Sequence, residues 1–318
     1  MTNWTMGTDP EFMLVKGGQY YSAIGIVPGT KDKKYKSGGN CFYYDNVLAE
    51  CTVVPSKDKE EAVANIQHCL QTYADLVNPY KLVVQASQDY PKSQLKHKDA
   101  IAIGCKREYC AYALRDIEPP EETMQTKPLR SAGGHIHIGC KFAQKDVLNT
   151  VAVIRMMDVF VGLPSIYLEH DETSKKRKEL YGQAGRFRKP KHGAEYRSLS
   201  NFWLASPKLV SLIHDLTSLA VDAATNGQYE KWWKIDHETL NDDAAWNQDD
   251  FDPASCHMCS GYDVASLRCA VDNLDRNRGK NLLETLFKAA VPKKIYTEFE
   301  KIASTKKKMD VYKEWELG

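Results

Sequence analysis

The feature that most constrains this chain is an alternation of period two that returns in four stretches far apart in sequence. It is plainest in Ser131-Ala-Gly-Gly-His135-Ile136-His137-Ile138-Gly139-Cys140. Successive strand residues point to opposite faces, so the two imidazoles look one way and the two isoleucines the other. The preceding glycines let a backbone come close. Neutral imidazole ligates divalent metals and contacts phosphate, so an HxH strand suits the floor of a metal or nucleotide site. Taken alone, the pattern equally describes a half-exposed strand whose histidines face water.

The N-terminal stretch Gly7-Thr-Asp9-Pro10-Glu11-Phe12-Met13-Leu14-Val15 repeats the design, with Asp9 and Glu11 on one face and Phe12 and Leu14 on the other. Neighbouring carboxylates repel unless a cation or an arginine separates them; a solvated strand start is the other reading. Residues 42–56 are aromatic and β-branched and read as a hairpin turning at Asp45-Asn46. Glu50 falls mid-strand there, where an unpartnered carboxylate is costly to bury. The fourth stretch carries Arg186-Phe-Arg188 and then Glu195-Tyr-Arg197 after Gly193. Arginine's planar fork suits phosphate or carboxylate, so converging arginines suit a polyanionic substrate. A basic surface loop paired with acidic neighbours is the alternative.

The intervening sequence predicts helices packed on a sheet, an α+β chain. A Gly17-Gly18 turn leads to a strand around 20–26, and the lysine- and glycine-rich 31–39 reads as a mobile loop. Ser56 is placed to cap a helix over 57–77, followed by a strand over 81–86. Residues 144–170 read as one long helix ended or kinked by Pro164, and 171–178 as a solvated turn or helix end. Ser206-Pro207 opens a further helix, with Trp232-Trp233 in an amphipathic segment and more helices at 264–274, 281–290 and 293–304. Residues 87–130 carry no clear period.

With 318 residues, 42% hydrophobic and 27% charged, there is ample material for a core. Lys plus Arg (43) nearly cancels Asp plus Glu (42), so the chain lacks the global basic field that drives nucleic-acid or anionic-membrane binding. No secretory signal is read at the N-terminus, and the apolar stretch 147–168 is interrupted by Arg155, Asp158 and Pro164. A cytoplasmic protein without a membrane partner is expected. The nine cysteines fit reduced thiols; Cys256-His-Met-Cys259 would join Cys105 and Cys110 around zinc only with spacing that zinc sites do not favour. Residues 241–253 are acidic but lack a calcium loop's glycine and glutamate, and no GxGxxG or Walker motif is present.

In their order, GTDPEF, DNVLAE, AGGHIHIG, YGQAGRFR and HGAEYRSLSNFW resemble the phage-type carboxylate-amine ligases (type 2) of the glutamine synthetase and glutamate-cysteine ligase superfamily, over about residues 5–207. The resemblance implies a single glutamine synthetase-like catalytic domain over 1–318, mostly helical over 203–318. Its curved antiparallel sheet would carry helices on one face and the active site on the other. It implies that ATP and Mg2+ or Mn2+ are cofactors, with Asp9, Glu11, Glu50, His135 and Glu195 as metal ligands. Relatives often have two glutamates where this chain has Asp9 and Glu11. His137 would face the nucleotide phosphates, Arg197 the transferring phosphoryl group, and Arg186 and Arg188 phosphate or the substrate carboxylate. Substrates would be small-molecule or peptide carboxylates and amines, an amine on a modified nucleic acid being open.

The implied reaction makes an acyl phosphate from a carboxylate and ATP, and an amine then displaces the phosphate to form an amide. Glu195→Ala and Arg197→Ala are expected to fold yet abolish ATP turnover. Three other readings stay open: a guanidino phosphotransferase of similar architecture, a metal-dependent hydrolase, and a binding module without chemistry.

Overall fold

The computed structural model describes residues 3–101, 108–117, 127–226 and 264–318. The alternating N-terminal stretch forms two strands laid end to end, β1 (Trp4–Thr8) and β2 (Glu11–Lys16). Both run antiparallel along one edge of β6 (Leu48–Ser56), with Thr8 opposite Val53 and Glu11 opposite Glu50. The single strand expected over 7–15 is thus interrupted at Asp9-Pro10, where proline has no N–H for the ladder. Register survives the break because the Pro10 carbonyl accepts from the Cys51 N–H at 3.2 Å. On the other edge of β6 lies β5 (Asn40–Asp45). Asn46, in the turn between them, sits at φ 53, a conformation asparagine tolerates.

Beyond β1 the sheet continues through β12 (Ile136–Cys140), β14 (Gly193–Tyr196), β13 (Arg186–Arg188), β9 (Glu108–Cys110) and β10 (Arg115–Ile117). Adding β3 (Gln19–Tyr21), β4 (Tyr35–Ser37) and β7 (Lys81–Val83) gives twelve strands, paired antiparallel. Two further strands, β8 (Ser87–Asp89) and β11 (Leu129–Ser131), pair separately.

Register fixes which side chains meet, because directly opposed residues share a face. Arg188 opposes Glu195, Glu195 opposes His137, and His137 opposes Gly7. Moving two residues along each chain brings Arg186, Arg197, His135 and Asp9 to that same face. Cys110 opposes Arg186, which adds Glu108. The other face carries Phe12, Ile136, Ile138, Phe187, Ala194 and Tyr196, all buried in one core with the helices. Helix Lys59–Val77 packs on β6, Val147–Met157 on β14, and both pack on Pro207–Thr225.

Several boundaries differ from those the sequence predicts. Asp58, not Ser56, caps the helix at Lys59, accepting from the Glu61 N–H at 2.8 Å. Ser56 ends β6 and donates to the Met6 carbonyl. The strands expected over 20–26 and 81–86 stop at Tyr21 and Val83, and the 31–39 loop contains β4. The long helix over 144–170 is divided into Lys141–Lys145, Val147–Met157, a π-helical turn at Asp158–Gly162, and Leu163–Leu168. Asp146 caps the second piece, and the widened turn accommodates Pro164, which cannot donate a helical hydrogen bond. By length and composition alone Val147–Leu168 could cross a bilayer, but 94% of its apolar window is buried inside the molecule. Where a solvated turn or helix end was expected over 171–178, a separate helix forms at Ser174–Leu180, with Arg177 buried. Helices Val264–Asn273, Arg276–Leu282 and Lys293–Ala303 follow, the second continuing through a π turn. Cys105, Cys256, Cys259, Trp232, Trp233 and residues 241–253 lie outside the described residues.

Candidate active site

The polar face of the sheet floors a cleft of about 830 Å3 lined by acids and bases together. Two acidic groups bound it. In the first, one ligand atom each from Asp9, His137 and Glu195 lie within 4.8 Å of one another; in the second, the same holds for Glu11, Asp45 and Glu50. The hairpin explains Asp45: its two-residue turn sets Asp45 opposite Leu48 and Tyr43 opposite Glu50, so Asp45 and Glu50 share a side.

Electrostatics in the second group are unfavourable as they stand. Burial, with repulsion from Asp45 and Asp9, pushes the Glu11 carboxyl up to about 7, although the Gly133 N–H donates to it at 2.6 Å. Burial and the neighbouring Glu11, Asp9 and Asp45 push Glu50 well above the usual carboxylate range. Tyr43 donates to one Glu50 oxygen at 2.8 Å, while Oε2 is buried without a hydrogen-bond partner. A site that strains to hold protons in place of charge also suits a cation. Lys31 supplies part of that charge by pairing with Asp45.

Asp9 is placed differently. Burial would raise its pKa, but His135 and His137 outweigh that and hold it well below the ordinary value. Its Oδ1 lies 3.2 Å from His135 Nδ1 and 3.2 Å from His137 Nε2, without hydrogen-bond geometry to either. Arg197 organises the far side: Nε donates to Glu108 at 2.7 Å, and Nη1 pairs with Glu195 and lies 3.3 Å from His135 Nδ1. Burial opposes every charge in this set, but mutual attraction prevails, holding Glu108 and Glu195 low and Arg197 high. Arg188 Nη1 lies 3.6 Å from Glu195.

Asp9, Glu11, Glu50, His135, Arg188 and Arg197 therefore line one cleft, with Glu195 and His137 joined to it through Asp9. His137 rather than His135 belongs to the first acidic group, and His135 reaches toward Arg197. Arg186 is not among the lining residues; its charge acts on Glu108. Glu108, Asp45, Lys31, Arg130 and Arg177 also line the cleft. Asp45 could have been found from the hairpin register; Glu108 and Arg130 lie where the sequence has no period, and Arg177 in a charged run.

The donor set has the chemistry of a divalent-cation site. Hard carboxylate oxygens dominate both groups, one imidazole joins the first, and the orphaned oxygens of Glu50 and Asp9 have the lone pairs a cation would take. These residues fit magnesium or manganese. A search of curated proteins finds no match. Residues 123–246 match the family model described as "Phage phiEco32-like COOH.NH2 ligase-type 2", which is the family that the motifs resemble.

Proposed function

We propose that this chain is an ATP-dependent carboxylate-amine ligase with a glutamine synthetase-like catalytic fold, forming an amide through an acyl phosphate. The observation that carries the reading is the convergence on one sheet face of two acidic groups and the Arg188 and Arg197 guanidinium groups. The family match over 123–246 supports the joining of a carboxylate to an amine.

Phosphoryl transfer to a carboxylate brings anionic groups together, so the protein must neutralise charge and align reactants rather than supply a nucleophile. Arg197 is suited to face the phosphoryl oxygens, because Glu108 and Glu195 hold its guanidinium in place before any substrate arrives. Arg188, half-buried beside Glu195, adds a second positive fork. Glu11, Asp45 and Glu50 would hold one divalent cation and Asp9, His137 and Glu195 another; bound there, the cations would add neutralising charge and Lewis acidity. The substrate carboxylate oxygen attacks the γ-phosphorus and ADP leaves. The amine nitrogen then attacks the carbonyl carbon, the carbon–oxygen bond to phosphate breaks, and a proton is lost from nitrogen. Balanced charge and reduced thiols favour small-molecule or peptide substrates in a cytoplasm.

The test is to incubate the protein with ATP, Mg2+ and a panel of acids and amines, following ADP and analysing products by mass spectrometry. ADP release requiring both an acid and an amine, with an amide formed, is expected. A stable phosphorylated product would point to a phosphotransferase, and hydrolysis without ATP to a metal-dependent hydrolase.

A further inference from the structure

The near-zero net charge of the chain hides a segregation. Residues 276–308 carry ten lysines and arginines against three glutamates, and all ten basic residues are exposed. The aspartates that bracket the stretch, Asp275 and Asp310, are committed to capping helices. Lys313, Glu314 and Glu316 follow and leave the excess positive. Among the described residues, only Lys308 of the ten has a carboxylate within 4.0 Å, its partner being Asp171 at 3.1 Å. Like charges gathered in this way repel one another, so the arrangement is costly unless an anion answers it.

The fold brings the two ends of this stretch together. Arg276 Nη2 donates to the Glu169 carbonyl at 3.1 Å and to His170 Nδ1 at 3.2 Å, while Lys308 reaches Asp171. Between those ends Phe287 meets Phe299 edge-on, ring centroids 5.2 Å apart, and Lys288 Nζ lies 5.3 Å over the Tyr296 ring. A guanidinium can only donate, so His170 Nδ1 accepts and the proton of the neutral ring sits on Nε2. That nitrogen is buried and, among the described residues, has no hydrogen-bond partner. His170 also lines a pocket of about 340 Å3 with Asp171, Lys307 and Lys308. Asp171 is already answered there, by Lys308 and by the N–H groups of Ala86 and Thr173. What the pocket rim leaves over is positive charge and an unused N–H, which suits an anionic oxygen.

We propose that residues 276–308, together with His170, form a docking surface for the phosphodiester backbone of a nucleic acid. The inference stands apart from the ligase reading. Exposed lysines and arginines spread over two helices and a loop match a ligand with many closely spaced negative charges, held without regard to its sequence. A bilayer or an apolar protein surface would call for large exposed hydrophobic side chains, and among the described residues those are Tyr35 and Ile101, both outside the stretch. Helices Arg276–Leu282 and Lys293–Ala303 pack into one core with Leu163–Leu168 and Pro207–Thr225. They therefore lie behind the sheet face that carries the acidic groups, whose charge would repel a polyanion.

The test titrates the full chain into a fluorescein-labelled DNA duplex of about 20 base pairs and into a single-stranded RNA of the same length, at about 50 mM salt, and follows anisotropy. Binding to at least one of them at about 10 μM or tighter is expected, weakening as salt is raised. Changing Lys293→Glu, Lys294→Glu, Lys306→Glu and Lys307→Glu together should weaken it by about 100-fold or more and make the salt dependence shallower. The same four positions changed to Gln remove the charge without reversing it and should weaken binding by about 10-fold or more, each protein being checked for folding by circular dichroism. Lys33→Glu with Lys36→Glu, in the other lysine-rich loop, should leave binding within about 2-fold of the wild type. Binding to neither nucleic acid, binding unchanged in the folded four-lysine variants, or binding lost only with the Lys33 and Lys36 changes overturns the proposal. Binding to phosphatidylserine vesicles but to neither nucleic acid also overturns it and gives this surface to a membrane.

Discussion

Arg197 is held by two acids at once, and each loss has a different consequence. Replacing Glu195 with Ala removes one contact and leaves Glu108 as the guanidinium's partner, so the protein should fold while ADP release falls by about 100-fold or more. Arg197→Ala leaves buried Glu108 without its ion-pair partner and Glu195 with Arg188 at 3.6 Å, a loss on the order of 3–5 kcal/mol. The expectation that it simply folds is therefore revised: thermal melts should separate the two variants, and Arg197→Lys is the better kinetic probe. Glu11 gives a pH test. Its carboxyl is raised from the ordinary range to about 7, so its contribution to stability is fully present below the unfolded value and is lost as pH climbs through about 7. A divalent cation held by Glu11, Asp45 and Glu50 would take over where the proton leaves. Mg2+ should raise the melting temperature more at pH 8 than at pH 5, and chelation should remove the gain; an equal rise at both pH values would contradict the cation site.

At the scale of elements, the strand β14 is fastened from behind. Tyr196, between Glu195 and Arg197, donates to buried Asp158 at 2.6 Å, and Tyr112, just past β9, donates to its other oxygen at 2.8 Å. One carboxylate in the π turn thereby ties the segments carrying Glu195, Arg197 and Glu108 to the core helix. A methyl at Gly162 would lie 2.6 Å from the Tyr196 hydroxyl. Gly162→Ala should therefore cost about 1–3 kcal/mol and lower activity as well, because β14 must shift. Asp58→Ala, which removes a helix cap distant from the cleft, should cost about 1 kcal/mol with activity unchanged. Denaturant melts alongside ADP assays distinguish the two. The alternation of His135 with His137 and of Glu195 with Arg197 made these strands legible, since period two survives any tertiary context. The π turn was not legible, because a widened turn leaves the apolar spacing of 144–170 nearly helical.

For the whole molecule, the sequence revealed which residues face one way along each strand but not which strands are neighbours. Sheet order is what sets Glu195 opposite His137 and Glu11 opposite Glu50. Motifs with strict alternation could be read as one surface, whereas Glu108, Asp45 and Arg177 could not, because a lone charge in a turn, a short strand or a charged helix has the composition of solvated surface. On the proposed reading, the assembled face is a place where anions would be neutralised while a carboxylate is phosphorylated and then captured by an amine. The measurement that reaches this most directly uses the active acid with both carboxylate oxygens labelled as 18O and follows the label during turnover. Attack of that oxygen on ATP, followed by its departure with phosphate, predicts one labelled oxygen in each inorganic phosphate released and one retained in the amide. Unlabelled phosphate accompanying amide formation, or ADP release that leaves the acid's label untouched, would contradict the account.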